Sequence, residues 1–126
     1  MKAFLLDTHI LIWWLADDRQ LKKIARSLIV DRNNLIFVSA ASTWEIMIKK
    51  SLGKLEAPDN LAEILDENHF KILPITLQHT LVIGQLPKHH HDPFDRMLLA
   101  QAKSESLTLI TADEKLTCYD VAHLKV

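Results

Sequence analysis

Short, uninterrupted apolar runs along the chain alternate with longer segments of helical periodicity. Continuous apolar runs of this kind are typical of parallel strands that are covered on both faces. We predict four such strands, at 4–6, 35–38, 72–73 and 107–110. A further short edge strand is predicted within 121–126.

Between the strands, apolar residues recur every three or four positions, as on one face of a helix. This spacing covers 21–29, then 61–65 behind Asp59 as the expected N-cap, and then 98–102 behind Asp92 and Pro93. Strands and helices that alternate in this order predict an α/β sandwich with right-handed crossovers. We therefore expect a parallel central sheet of four to five strands, flanked by helices.

The length of 126 residues predicts a single domain over 1–126, with a core large enough to need no disulfide. Cys118 is the only cysteine, so no intrachain disulfide can form, which fits a reducing compartment. The only glycines are Gly53 and Gly84, which disfavours a Gly-rich loop for nucleotide phosphates.

No segment of the sequence predicts a membrane span. The longest apolar run, Ile10–Ala16, is far short of the roughly 20 residues that a spanning helix needs. The opening residues resemble a signal peptide, but Asp7 interrupts the apolar run and no cleavage site follows. We interpret the opening as a first buried strand and expect a cytoplasmic protein with no membrane partner.

The net charge of -1 argues against a broad nucleic-acid surface, because most such domains are basic. A nucleic-acid role therefore requires a local basic patch. Two sets of basic residues are candidates for it or for ordinary solvated helix faces. They are Lys22, Lys23 and Arg26, and separately Lys49, Lys50 and Lys54.

Acidic residues follow the predicted strands. Asp7 follows the first strand, Glu45 lies on the helix after the second, Asp92 and Asp95 begin a late helix, and Asp113 follows the last clear strand. Sites in open α/β sheets lie outside the carboxyl ends of the strands, so these acids are expected to converge at one edge.

Gathered carboxylates repel each other, by roughly 4 kcal/mol for two charges about 4 Å apart at an effective dielectric near 20. A fold that collects several of them either protonates some or binds a cation. Oxygen ligands suit Mg²⁺ or Mn²⁺ rather than zinc. Such a cation polarises phosphoryl oxygens and generates hydroxide from water, which predicts hydrolysis of a phosphodiester.

Each acid also has a purely structural interpretation. Asp7 fits the N-cap of a helix that begins near His9, and Asp113 fits a turn or cap. The segments Ser42–Glu45 and Asp92–Asp95 fit capping boxes. An acid at a helix start can cap and ligate at once, so both interpretations stay open.

The His89–His91 run and the tryptophans also have possible functional interpretations. Three adjacent histidines on an extended loop point in different directions, so we interpret them as a solvated or phosphate-facing loop. Trp13, Trp14 and Trp44 are interpreted as core or dimer-interface aromatics. Because Trp13 and Trp14 are adjacent on a helix and cannot both face one core, we expect a homodimer.

Four segments resemble the motifs of the PIN-domain ribonuclease family, and within it the VapC-type toxins of toxin–antitoxin pairs. They are Leu5–His9, Val38–Ile46, Leu86–Arg96 and Ile110–Asp113, of which the third is the most specific. They occur in the family's order and spacing, and the resemblance covers essentially the whole chain.

The resemblance implies a site around Mg²⁺ or Mn²⁺. The residues that match the family's catalytic and metal-binding acidic quartet are Asp7, Glu45, Asp95 and Asp113. The residues that match supporting positions are Thr8 and Thr111, with Asp92 as an extra acid. His91 departs from the family pattern, since many relatives carry Arg there.

By the same resemblance, the chain is expected to be a metal-dependent endoribonuclease that cleaves RNA, is inhibited by a cognate antitoxin and forms a homodimer. The alternative is a degenerate PIN fold that binds without turnover.

Two other classes of protein fit the sequence poorly. A phospho-acceptor signalling domain needs paired acids after its first strand and an acceptor after the third, but Asp7 stands alone and Leu73–Ile75 offers none. A haloacid-dehalogenase-type phosphatase needs an Asp where His9 stands.

Overall fold

The computed structural model describes residues 2–126 and contains one sheet of five strands, in the order β3-β2-β1-β4-β5. All four strand pairings are parallel. β1 is the central strand, so its carboxyl end lies between those of β2 and β4. The strands are β1 Lys2–Leu6, β2 Asn34–Ser39, β3 Lys71–Leu73, β4 Thr108–Thr111 and β5 His123–Lys125.

Helices connect the strands and cover both faces of the sheet, as the alternating pattern predicts. They are α1 Thr8–Ala16, α2 Lys23–Val30, α3 Ala40–Ser51, α4 Leu61–Glu67, α5 Leu77–Ile83 and α6 Pro93–Ser104, with a 3₁₀ turn at Glu114–Cys118. The predicted fold class is confirmed, and the edge strand expected within 121–126 is β5. Of the helices in residues 2–126, none is both long and apolar enough to cross a membrane.

The core has two parts because successive side chains of a strand point to opposite faces of the sheet. Phe4 and Leu6 of β1 join the cluster beneath α1, α2 and α4. Leu5, between them, joins the cluster beneath α5 and α6. The sheet is thus buried on both sides, which leaves its carboxyl edge as the place where polar side chains meet.

Two expected helix caps are wrong. α3 begins earlier than the Ser42–Glu45 capping box requires, because Ser39 is the N-cap and its hydroxyl accepts a hydrogen bond from the Ala41 N–H. α4 is preceded by Asn60 as N-cap, not by Asp59. The Asp59 carboxylate instead pairs with the Lys50 amine, 2.7 Å away. In the first case an earlier residue caps the helix. In the second, the side chain expected to cap the helix forms an ion pair with a residue of another helix.

One half of the capping box expected at the start of α6 is present. Asp92 is the N-cap, with Pro93 in the first turn, and its carboxylate accepts hydrogen bonds from the backbone N–H groups of Phe94 and Asp95. The Asp95 carboxylate does not return to the backbone of Asp92. It contacts the His90 ring instead.

Trp13 and Trp14 both pack against the same core cluster, contrary to the expectation that they cannot share one core. The Trp14 indole also donates a hydrogen bond to the Asn68 side chain (3.1 Å) and lies against the Phe70 ring. Both rings are half-buried at the margin of the core. The pair therefore gives no support to the expected homodimer.

Candidate active site

The carboxyl ends of β1 and β4 place Asp7 beside Thr111. The Thr111 hydroxyl donates a 2.6 Å hydrogen bond to Asp7 Oδ2 and accepts one from the Asp113 backbone N–H. Neighbouring parallel strands therefore bring the first and last predicted acids of the chain to one edge through a shared threonine. Thr111 therefore contacts both Asp7 and the backbone that leads to Asp113, and the supporting role that the resemblance implies for it stays a prediction.

The Asp7 carboxyl is buried, with 2% of the residue exposed. Within residues 2–126, its Oδ1 is the one buried side-chain oxygen or nitrogen without a hydrogen-bond partner. Burial raises the pKa of Asp7 above its ordinary value, and the nearby charge of Asp113 adds to the increase, although the Thr111 hydrogen bond opposes it. Burying a carboxylate oxygen without a hydrogen-bond partner costs folding free energy unless a ligand binds to it.

Asp95, in the first turn of α6, lies in the same charged environment. Burial, followed by the charges of Asp7 and Asp92, raises the pKa of Asp95 to about 6, even though the His90 hydrogen bond favours the ionised form. His90 Nε2 lies 2.8 Å from Asp95 Oδ2.

In the described part of the chain, His90, Asp95 and Asp113 form the one group of three side chains close enough together to hold a metal ion. Each offers one ligand atom, and these atoms lie within 4.8 Å of one another. Asp7 is close enough for its charge to act on Asp95 and to be acted on by Asp113. Three of the four expected acids therefore share one electrostatic environment.

His90 is a member of this group that sequence reasoning missed. The three histidines do point in different directions, as expected: His89 packs edge-on against Tyr119, with ring centroids 5.2 Å apart, and His91 is exposed. The sequence interpretation is a solvated or phosphate-facing loop. The His90 side chain is only 16% exposed, which contradicts the solvated alternative for this residue, and the phosphate-facing one stays a prediction. No local pattern distinguishes it from its neighbours, because its direction depends on contacts with α6.

Glu45 is buried on α3 and is not a member of the group of His90, Asp95 and Asp113. Its Oε2 pairs with the Lys49 amine, 2.9 Å away and one helical turn later. The sequence shows no basic residue within two positions of Glu45, and the partner lies just beyond that range. One turn before Glu45, the hydroxyls of Ser42 and Thr8 are hydrogen-bonded at 2.8 Å, which fixes α3 against the residue that follows Asp7.

Two of the acids also have structural roles. Asp113 is the N-cap of the 3₁₀ turn, and its Oδ1 accepts a hydrogen bond from the Lys115 N–H. Asp92 caps α6, and its charge raises the pKa of Asp95. The capping and site interpretations of these acids are therefore compatible.

The donor set fits a hard divalent cation. It consists mainly of carboxylate oxygens, one of them buried and unpartnered, at the carboxyl edge of a parallel sheet. The fold and the site define an α/β domain with an acidic centre suited to metal-assisted hydrolysis of a phosphodiester.

The PIN domain family model matches residues 4–122. The chain belongs to the PIN-domain family. It is also similar to "Ribonuclease VapC22" of Mycobacterium tuberculosis (strain ATCC 25618 / H37Rv), with 28% identity over 124 residues, which cover 92% of this chain and 91% of the relative.

Solved structures share the fold. A chain of VapBC2 from Rickettsia felis, bound to a DNA fragment from its promoter, superposes with a TM-score of 0.74 at 16% identity, covering 98% of each chain. A chain of DNA-bound VapBC from Salmonella typhimurium gives 0.72 at 17% identity, covering 99% of this chain and 98% of that one. The resemblance expected from the four motifs is confirmed.

Proposed function

We propose that this protein is a metal-dependent endoribonuclease and the toxin of a toxin–antitoxin pair. The observation that carries the proposal is the buried, unpartnered Oδ1 of Asp7, which lies in the same charged environment as Asp95 and Asp113. The similarity to a relative named as a ribonuclease, and to chains from VapBC complexes, supports RNA as the substrate and an antitoxin as a partner.

In this proposal, Asp7, Asp95 and Asp113 hold Mg²⁺ or Mn²⁺, and Glu45 is the fourth acid. The bound cation would polarise a phosphoryl oxygen and lower the pKa of a water molecule, so that hydroxide is available near neutral pH. The proposal at this point includes either ion.

The chain's own residues orient these acids. Thr111 holds Asp7 Oδ2 through its hydroxyl, which turns Oδ1 to the opposite side of the carboxyl group. Asp92 fixes the first turn of α6, from which Asp95 projects. Thr8 ties the start of α1 to α3, the helix that carries Glu45.

RNA contacts are expected to be local, given the net charge of -1. Each candidate basic set has members that are already engaged within the chain. Arg26 binds Asp17 and two backbone oxygens, and Lys50 binds Asp59. Lys49 belongs to one of these sets and lies 2.9 Å from Glu45, and we propose it as a phosphate contact.

A degenerate fold that binds without turnover remains the second candidate. The observation in its favour is that two of the four acids are already paired with basic side chains within the chain, Glu45 with Lys49 and Asp95 with His90. The two functions differ in turnover, so a cleavage assay separates them.

A homodimer and a cytoplasmic location stay predictions. The best support for the dimer is an exposed apolar face rather than the tryptophan pair. It comprises Leu77 and Leu81, which lie one turn apart on α5 and are 75% and 56% exposed. Ile72 on the edge strand β3 is also 51% exposed, and with Met47 it lines a separate open groove of about 600 Å³.

The deciding experiment is cleavage of total transfer RNA by the purified chain across a titration of Mg²⁺ and of Mn²⁺. Asp7→Asn keeps the size and hydrogen-bonding capacity of the side chain but removes its charge. We expect it to lower the initial cleavage rate by on the order of 100-fold or more, because a ligand and the stabilisation of the transition-state charge are both weakened.

Asp59→Asn is the matched control, since that side chain is fully exposed and touches none of the site acids. It is expected to cut at the unmodified rate. Equal rates and equal metal dependence for Asp7→Asn and the unmodified chain would rule out this mechanism. No metal-dependent cleavage by the unmodified chain would favour the binding module.

A further inference from the structure

His90 is built into the acidic site by the loop that carries it. The Arg96 guanidinium donates hydrogen bonds to the backbone oxygens of Ile83, Leu86, Pro87 and His90, at 2.9–3.4 Å. Five N–H groups in a rigid plane make arginine suited to hold several carbonyl oxygens at once. The loop is therefore fixed against α6, and the direction of the His90 ring is part of the fold.

The ring of His90 faces the acids at a spacing that suits shared coordination. Its Nε2 lies 2.8 Å from Asp95 Oδ2, and both lie within 4.8 Å of a ligand atom of Asp113. Adjacent ligands of an octahedral cation with bonds of about 2.1 Å are roughly 3 Å apart, and opposite ligands roughly 4.2 Å. Small adjustments would thus place all three donors on one ion.

A second, independent feature indicates that the position binds something. Asp7 Oδ1 is buried without a partner, and the Asp7 charge raises the pKa of Asp95. The site therefore combines a loop-held imidazole with a deeply buried carboxylate oxygen, which a chance group of surface acids would not.

We propose that His90 supplies a nitrogen ligand to the divalent cation of this site. On metal binding, Nε2 would give up its hydrogen bond to Asp95 and bind through its lone pair, with the proton of the neutral ring on Nδ1. The site would then be of mixed nitrogen and oxygen type and would favour Mn²⁺ over Mg²⁺, because Mg²⁺ prefers oxygen ligands and binds imidazole poorly. This inference rests on the proposed metal site, but it concerns a residue outside the acidic quartet.

The test is pulsed electron paramagnetic resonance on the full chain loaded with Mn²⁺, in the absence of RNA. A coordinated imidazole gives ¹⁴N modulation of the Mn²⁺ signal, and labelling the histidines with ¹⁵N should replace it without any mutation. We expect the modulation in the unmodified chain and its loss in His90→Gln.

Three variants are matched controls, since they remove the other histidines near the site. These are His89→Gln and His91→Gln from the same loop, and His9→Gln, because the His9 charge acts on Asp7. All three should keep the modulation. Calorimetric titration should show Mn²⁺ affinity reduced by on the order of tenfold in His90→Gln, and Mg²⁺ affinity reduced by less.

Each outcome decides one point. No Mn²⁺ binding, no nitrogen modulation in the unmodified chain, or modulation that survives in His90→Gln overturns the assignment, as does an equal loss of affinity for both ions. RNA cleavage without nitrogen modulation overturns it while leaving the proposed nuclease intact. Nitrogen modulation without RNA cleavage supports the His90 ligand and overturns the nuclease instead.

Discussion

At the scale of single residues, the site is defined by a carboxyl group that the fold buries at a cost. Asp7 is 2% exposed, and Thr111 satisfies only one of its two oxygens. Burial disfavours the charged form, which is why the pKa of Asp7 is raised. Such a residue weakens the metal-free protein and is suited to bind a cation.

Asp7→Asn is therefore expected to unfold at an equal or higher temperature than the unmodified chain when a chelator is present. Because the folded-state pKa lies above the unfolded value of about 3.9, the folded state binds more protons, and this group's contribution to stability falls as the pH rises through that window. The advantage of Asp7→Asn should grow from about pH 4 upwards and level off above the raised pKa. Thermal unfolding in EDTA from pH 4 to 7.5 measures it, and a variant less stable at pH 7.5 contradicts the argument.

In the proposed site Lys49 would compete with the cation for Glu45, since its amine lies 2.9 Å from Glu45 Oε2. Lys49→Gln should therefore bind Mg²⁺ or Mn²⁺ more tightly, by a few fold, in line with the roughly 0.2–1 kcal/mol of a partly exposed ion pair. Calorimetric titration without RNA tests this. Lys50→Gln, which removes the equivalent pair with Asp59, should leave the affinity unchanged. Equal effects of the two variants would indicate general electrostatics instead.

At the scale of elements, a buried polar network sets the position of α3 relative to α6. The Ser39 hydroxyl donates a 2.5 Å hydrogen bond to Gln101 Oε1 and accepts one from the Ala41 N–H. The Gln101 amide in turn donates to the Pro74 backbone oxygen, 3.3 Å away. Because α3 carries Glu45 and α6 carries Asp95, the network helps to set the spacing of the acids.

Ser39→Ala removes a helix cap and leaves Gln101 Oε1 buried without its donor. Together these losses should lower the free energy of unfolding by about 2–3 kcal/mol. Urea denaturation measures the effect. Ser27→Ala, at an exposed position on α2, is the control and should change the stability by less than about 0.5 kcal/mol. A Ser39→Ala variant as stable as the control would show that the network contributes nothing.

At the scale of the whole molecule, the exposed apolar face of α5, formed by Leu77 and Leu81, calls for a covering partner. Exposed apolar surfaces and edge strands with exposed apolar side chains tend to associate unless they are covered. Ile72, on the edge strand β3, is a further exposed apolar side chain. We propose a second copy of the chain as the partner that covers the α5 face.

Light scattering at micromolar concentration should accordingly give a dimer mass. Leu77→Arg should shift the mass towards the monomer, because the interface would then have to bury a charge. Ile24→Arg is the control, because Ile24 is similarly apolar and 56% exposed but lies on α2. A monomer mass for the unmodified chain, or an equal shift in both variants, contradicts this assignment of the interface.

Local pattern was sufficient to predict the parallel sheet and the placement of acids after its strands. Apolar runs and helical spacing depend on neighbouring residues, and parallel topology sends every strand's carboxyl end to the same edge. The cap formed by Asp92 with Pro93 is equally local. For the same reason, Thr111 beside Asp7 could be expected once both were assigned to strand ends.

Only the tertiary structure decided which side chains meet at that edge. The His90 ring turns towards Asp95 because Arg96 holds the loop, and Trp13 and Trp14 share one core because α1 lies at its margin. The buried oxygen of Asp7 without a partner likewise depends on what packs around it. The directions of loops and the burial of single atoms are set by residues distant in sequence, so no local pattern contains them.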